Sequence, residues 1–385
     1  MKLLGKLTWQ ESRPRLLMDK DHAKEWQEYR RKELEHALPV LERLGYVLEE
    51  AQPHTEGERY LMQAVTTTSG RKLILIGRRR KDGVRVIIKV STDPDGIHEI
   101  EGERASRLML ERMGFSYASF LAPEELEFKR ARGMLIAITA FIPQERSFLD
   151  RPLKEQFMLA LAGFKAQESA HATTYGHYRR IRHAFESRTA KTYCAAASAF
   201  ADSVRKERPE DPALSRALAR VETLLKEGAE TLDQYGGFLT HTDFVPHNFR
   251  VVGDTIYLLD HSSLRIGNKY EGWARFINFM TLYHPELAEG LVSYVALNRA
   301  PEESRALMLM RAYRLTELIL YYVRAASRSD GDLRSLNEAR VSFWTGTLEA
   351  LLDGKPVPVE SRDEYIATRD RLRSDEEKRR QQGLH

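Results

Sequence analysis

Apolar and polar positions change their spacing along the chain, and the change divides it in two. Residues 22 to 45 carry Trp26, Tyr29, Leu34, Leu38, Leu41 and Leu44 at helical spacing. Pro39 lies within that run and is expected to split it into two short helices. Three strand-like segments follow, 59-RYLMQAVT-66, 72-KLILIGRR-79 and 84-VRVIIKV-90. Their connections, 67-TTSGR-71 and 80-RKDG-83, have turn chemistry, so an antiparallel meander is expected. A helix over about 97 to 113 comes next, then strands near 126 to 131 and 134 to 142 around the turn 131-ARG-133, with Pro143 as the stop. From residue 153 helical periodicity takes over: 153 to 173, 178 to 206, 213 to 235, 272 to 283, 286 to 298, 302 to 326 and 335 to 352. One β insertion, 238 to 260, interrupts it, and no internal repeat is found. The pattern predicts an α+β fold with a small antiparallel-sheet lobe over 1–143, a large mostly helical lobe over 144–359 and a charged, solvated tail over 360–385.

The β insertion holds the densest polar chemistry. The stretch 238-FLTHTDFVPHNFRV-251 places His241, Asp243, His247 and Asn248 between two apolar runs, and 256-IYLLDHSSL-264 adds Asp260 at a strand end. Asp243, Asn248 and Asp260 offer hard oxygen donors of the kind Mg²⁺ takes, beside substrate phosphates. A carboxylate on an incoming hydroxyl, with a second carboxylate and an amide oxygen on a metal, is what phosphoryl transfer requires.

Upstream, Lys89 lies in an apolar strand, where alternation puts it on one face with Ile87. Such a lysine needs an anionic partner. Glu103 is the first choice, since it shares a helical stripe with Leu110, and Glu101 is the second. The turn 66-TTTSGR-71 offers the backbone N–H groups of Ser69 and Gly70 to phosphates.

Composition narrows the class. The 385 residues are enough for two lobes, and 42% apolar content marks a folded chain. Lys and Arg number 60 against 56 Asp and Glu, a net +4, so no nucleic-acid partner is expected despite 78-RRRK-81. The single cysteine, Cys194, rules out a disulfide framework and a cysteine-based zinc site. The start MKLLGKLTWQESR turns polar too soon for a signal peptide, and runs such as 134-MLIAITAFI-142 fall short of the roughly 18 residues that span a bilayer. A cytoplasmic protein without a membrane partner is expected.

In the order of these parts the chain resembles the aminoglycoside phosphotransferase family, within the two-lobed protein-kinase-like fold, over roughly residues 35 to 325. The family's His-x-Asp-x4-Asn pattern stands as His241, Asp243 and Asn248, and its metal-binding strand-end Asp as Asp260. Its strand lysine matches Lys89 and its helix glutamate Glu103. The helix 37-ALPVLERLGY-46 leading into the sheet, and the segment 164-FKAQESAHA-172, also look like the family's. The resemblance implies that Asp243 orients and deprotonates the acceptor hydroxyl, that Asn248 and Asp260 hold Mg²⁺, and that Lys89 contacts the α and β phosphates of ATP or GTP. It implies that Ala140, Phe141 and Ile142 read the base through their backbone and that His241 is structural. Departures are Thr242 where the family has glycine, His261 and Ser262 after Asp260, a single glycine in the phosphate loop, and Gly272 where an Asp braces the catalytic loop, with Glu271 as a possible substitute.

Two other readings use the same residues. A regulator that binds nucleotide without turnover keeps the fold. A metal-dependent hydrolase would use His241, Asp243, His247 and Asp260 as ligands. Residues 261 to 350, expected to line the acceptor pocket, hold 11 Lys or Arg and 10 Asp or Glu, a balance that does not favour a polycationic acceptor. Lys269, Tyr270, Trp273, Arg275, Tyr283 and His284 are the candidate lining residues there. A small hydroxyl compound is expected, because no long segment separates Asp260 from Trp273.

Overall fold

Alternation decides how the sheet divides its two faces. In a computed structural model describing residues 20–50, 52, 62, 70–113, 121–170 and 175–373, strand β2 (Leu73–Arg79) buries Leu73 and Leu75. Strand β3 (Arg85–Ser91) buries Val86, Ile88 and Val90 on the same side. Ile74, Ile76, Ile87 and Lys89 take the opposite face and line a cleft. Five antiparallel strands pair in the order β1-β2-β3-β5-β4, with β1 at Tyr46–Leu48, β4 at Glu125–Ala131 and β5 at Met134–Ala140. Helix α1 (Lys20–Arg43) covers the buried face with Trp26, Leu34, Ala37, Val40 and Leu41.

Helix α2 (Pro94–Met113) starts where Asp93 caps it: its Oδ1 accepts the N–H groups of Asp95 and Gly96, both at 3.0 Å, and Pro94 holds the first position. The larger lobe is helical, running through α3 (Leu153–Ser169), α4 (Tyr175–Ala184), α5 (Ala190–Glu207), α6 (Pro212–Glu227) and α7 (Ala229–Gln234). Two hairpin-like pairs follow: β6 (Phe238–His241) with β9 (Leu264–Gly267), and β7 (Phe249–Val252) with β8 (Thr255–Leu258). Then come α8 (Glu271–Tyr283), α9 (Pro285–Asn298), α10 (Pro301–Ser327), α11 (Gly331–Leu352) and α12 (Val359–Leu372).

Several expectations change. Helix α1 runs unbroken through Pro39, because burying Ala37, Val40 and Leu41 against the sheet offsets the one lost backbone hydrogen bond. The partner on the outer edge of β2 is Tyr46–Leu48; of the strand expected at 59–66 only Met62 is among the described residues, and it is helical, not extended. The helix expected at 178–206 is two helices, since Ser187 and Arg188 pair with Ile266 and Thr189 caps the second. The helix at 213–235 breaks at Gly228, where a Cβ would come within 2.5 Å of Leu309. The charged tail begins with the packed helix α12, which buries Tyr365 and Leu372 and stacks Tyr365 on Phe343 at 5.2 Å.

Candidate active site

The loop between β6 and β7 is held from below by aromatic packing. Phe244, directly after Asp243, is buried against Phe164, Phe249 and Phe276. Trp273 stacks on Phe164 at 4.0 Å beneath them. Backbone bonds tie this loop to the one after β8: Thr242 donates to the Ser263 carbonyl at 2.9 Å, and Leu259 to the Asn248 carbonyl at 2.9 Å. The Thr242 hydroxyl also donates to Ser263 O at 2.9 Å, so the threonine that replaces a glycine has a tethering role. His241 is fully buried and its Nε2–H donates to the Asp260 carbonyl at 2.6 Å, a third tie between the loops. Burial lowers the imidazole pKa against the opposing pull of Asp260 and Asp243.

Both oxygens of Asp243 are engaged. Asn248 Nδ2 donates to Oδ2 at 2.7 Å and to the Asp243 carbonyl at 2.9 Å. Arg275 Nε, from α8, donates to Oδ1 at 2.7 Å. Burial pushes the carboxyl up, but Arg275, Arg314 and His241 outweigh it and hold it at about 2. Asp243 is therefore an anion at neutral pH. Asp260 is pushed up by burial and brought net below its usual range by His241, by the hydroxyls of Ser262 and Ser263, and by Lys89. Those hydroxyls donate to its carboxylate at 2.5 and 2.8 Å and fix its plane.

The donor set fits Mg²⁺. Asn248 spends its Nδ2 on Asp243, which fixes the amide orientation and leaves Oδ1 as an acceptor beside the ionised Asp260. An amide oxygen with a carboxylate, in a site open to phosphate and water, is the chemistry that ion prefers.

On the sheet side, Lys89 Nζ donates to both oxygens of Glu103 at 2.5 and 2.6 Å, with both side chains mostly buried. Glu101 instead pairs with Arg130 and Glu99 with Lys72, which settles the choice between the acids. Ala140, Phe141 and Ile142 line the cleft. The N–H groups of Ala140 and Phe141 are spent on the carbonyls of Glu124 and Arg85, at 2.8 and 3.0 Å. Of the three N–H groups only that of Ile142 makes no hydrogen bond among the described residues. Gly70 has a positive φ of 69° and packs on Glu99 rather than on the cleft wall; Ser69 lies outside the described residues, as does His171. His247 lines the cleft with its ring edge on Phe279 at 5.2 Å. No group of three or more His, Cys, Asp or Glu placed to hold a metal is found among the described residues, so the ligand set of the hydrolase reading is not assembled.

The brace of the loop that carries Asp243 is not Glu271. That residue is fully buried with Arg188, Tyr193 and Arg314. The brace is Gln167 of α3, whose Oε1 accepts the His241 N–H at 3.2 Å and the Thr240 hydroxyl at 3.4 Å. Gly272 is required beside it, because a Cβ there would sit 2.5 Å from Gln167 Oε1. The sequence signal for Gln167 was an amide one turn from Phe164 on a buried helical stripe. The sequence marks Arg275 only as a pocket-lining candidate; its bond to Asp243 depends on the α8 crossing and has no local signature.

No family model and no curated protein matches the chain. Solved structures do. A thermostable mutant of aminoglycoside phosphotransferase APH(4)-Ia is 15% identical, with 82% of this chain and 97% of that one covered at a TM-score of 0.56. Another structure of that enzyme is a ternary complex with AMP-PNP and hygromycin B. Aminoglycoside 2'-phosphotransferase-IIIa, in a GDP complex, is 12% identical over 82% of this chain and 99% of that one, with a TM-score of 0.56. Macrolide 2'-phosphotransferase MphH from Brachybacterium faecium is 16% identical over 80% and 98%, with a TM-score of 0.52. With a five-stranded antiparallel sheet lobe, a helical lobe and a cleft at which the two meet, the chain has the kinase-like fold of the aminoglycoside and macrolide phosphotransferases.

Proposed function

We propose that this chain is a Mg²⁺-dependent phosphotransferase that moves the γ-phosphate of ATP or GTP to a hydroxyl of a small molecule. One observation carries the reading: Lys89 and Glu103 from the sheet side, and Asp243, Asn248 and Asp260 from the helical side, line a single cleft of about 1210 Å³. The lobes proposed over 1–143 and 144–359 supply one half each. The nucleotide and hygromycin B held by similar folds support the substrate classes.

Lys89, aligned by Glu103, places a cation on the α and β phosphates. The backbone around Ile142 offers the adenine or guanine a hydrogen-bond donor. Asn248 Oδ1 and Asp260 would hold Mg²⁺, which would neutralise charge on the phosphates. Asp243 accepts a hydrogen bond from the acceptor hydroxyl and aims its oxygen at the γ-phosphorus. As the new O–P bond forms, the bond to the bridging oxygen breaks, the nucleoside diphosphate leaves with that electron pair, and the proton passes to Asp243. With a carboxyl pKa of about 2, Asp243 is a weak base, and its main contribution is orientation until the proton is released late. Gln167 and the loop ties hold Asp243 in place before substrate arrives.

Calorimetric titration of ATP and GTP, with and without Mg²⁺, tests the reading. Mg²⁺-dependent binding supports it, and phosphate transfer to an acceptor separates it from a regulator that only binds nucleotide. Absence of nucleotide binding in both titrations would falsify it.

A further inference from the structure

The acceptor side of the cleft carries charge of both signs. Past residue 143, the carboxylates that line it among the described residues are Glu145, Asp150, Asp243 and Asp260, beside Arg146 and Arg250. Asp243 and Asp260 are assigned to chemistry and are already engaged: Asp243 by Asn248 and Arg275, Asp260 by Ser262 and Ser263. Beside Asp243 a polycation would meet the Arg275 guanidinium, next to the reacting hydroxyl.

Arg275 itself is underused. Its Nε carries its one hydrogen bond among the described residues, to Asp243 Oδ1. The side chain is 19% exposed, so it is neither a free surface charge nor sealed in the core. Its two terminal amino groups form the planar fork that matches a carboxylate or phosphate. The nearby wall is aromatic: Tyr322 lines the cleft within reach of the Arg275 charge. One turn further along α8, Phe279 stacks on Tyr283 at 4.4 Å.

We propose that the phosphate acceptor is a small hydroxyl compound bearing an oxyanion, a carboxylate or a phosphate ester, close to the reacting hydroxyl, and that Arg275 is the residue that selects it. This rests on the phosphotransferase reading above. The oxyanion takes the terminal amino groups of Arg275 while Nε keeps its hold on Asp243. One guanidinium then fixes acceptor and catalytic carboxylate in a single plane. The class differs from the polycationic amino sugars, whose charge has the same sign as the Arg275 guanidinium.

The test uses the full chain with Mg²⁺-ATP and reads release of nucleoside diphosphate. The panel groups hydroxy-carboxylates, hydroxylated phosphate esters, the neutral parents of both, and kanamycin as the polycation. Turnover is expected with the oxyanion groups, and the better of the two identifies the anion. Arg275→Gln should lower kcat/KM for the best acceptor by about 30-fold or more, chiefly through KM. Deleting the anion from the acceptor should cost a similar factor, and the two changes together no more than Arg275→Gln alone, because the substitution already removes the group the anion would meet along with the Nε bond to Asp243. Arg275→Lys keeps the charge and should keep the ranking at a raised KM. ADP binding confirms that each variant is folded. Preference for kanamycin or a neutral parent, or fully additive losses in the cycle, would overturn the proposal. Loss of Mg²⁺-nucleotide binding in the unmodified chain, titrated alongside, instead removes the phosphotransferase reading and this proposal with it.

Discussion

The two sides of the cleft hold their charges in different ways. On the sheet side, Lys89 and Glu103 form one ion pair between a strand and a helix. On the helical side, Asp243 sits in a network: Asn248 and Arg275 on its oxygens, three ties from its loop to the loop of Asp260, and Phe244 sunk in an aromatic cluster. A single pair can be lost when α2 shifts, and only its two residues register the change. A network resists such a shift, because each bond is fixed by others. The helical side is therefore the preorganised half and the sheet side the adjustable one.

Variants break that comparison in a graded order. Asp243→Asn should reduce transfer the most, by about 10²- to 10⁴-fold in kcat, while calorimetric nucleotide affinity stays near that of the parent. A variant with full turnover would remove Asp243 from its role. Phe244→Ala attacks the network from below. It should cost about 3–5 kcal/mol of stability, seen as a lower denaturation midpoint with loss of activity. Asp260→Asn should weaken nucleotide binding measured with Mg²⁺ and leave binding without Mg²⁺ nearly unchanged. Glu103→Gln should have a smaller effect, about tenfold in kcat/KM for nucleotide, with the melting temperature almost intact, because Lys89 can still reach phosphate.

The smallest effect is one of pH. Asp243 is held at about 2, below its usual 3.8, so its ion pair with Arg275 stabilises the fold fully above pH 4. That contribution is lost as pH falls through about 2, when the folded carboxylate takes up its proton. The difference in melting temperature between parent and Arg275→Gln should thus be constant near neutrality and shrink towards pH 2. A difference that grows on acidification would contradict the pairing.

Much of the site was legible because its residues lie in short local patterns. His241, Asp243, Asn248 and Asp260 fall on two strands and their ends, and period-two alternation put Lys89 on the cleft face. Helix periodicity favoured Glu103 over Glu101, and the ion pair agrees. Where the reading failed, a long-range contact overrode a local rule. Pro39 did not break α1, because the sheet beneath it rewards a continuous helix. The charged tail was not simply solvated, because Phe343 offers Tyr365 a stacking partner.

By itself the sequence determined the division into a sheet lobe and a helical lobe, the faces of the strands, and the identity of the polar residues at the cleft. All of these follow from spacing along the chain, which local backbone geometry translates into direction. The tertiary structure alone decided that Gln167 braces the loop, that Gly272 makes room for it, and that Arg275 reaches Asp243 from α8. Gln167 and Arg275 come from helices 74 and 32 residues away in sequence from the atoms they meet. Their contacts depend on how helices cross, and helix crossing is set by the packing of whole side-chain surfaces rather than by any local run of residues.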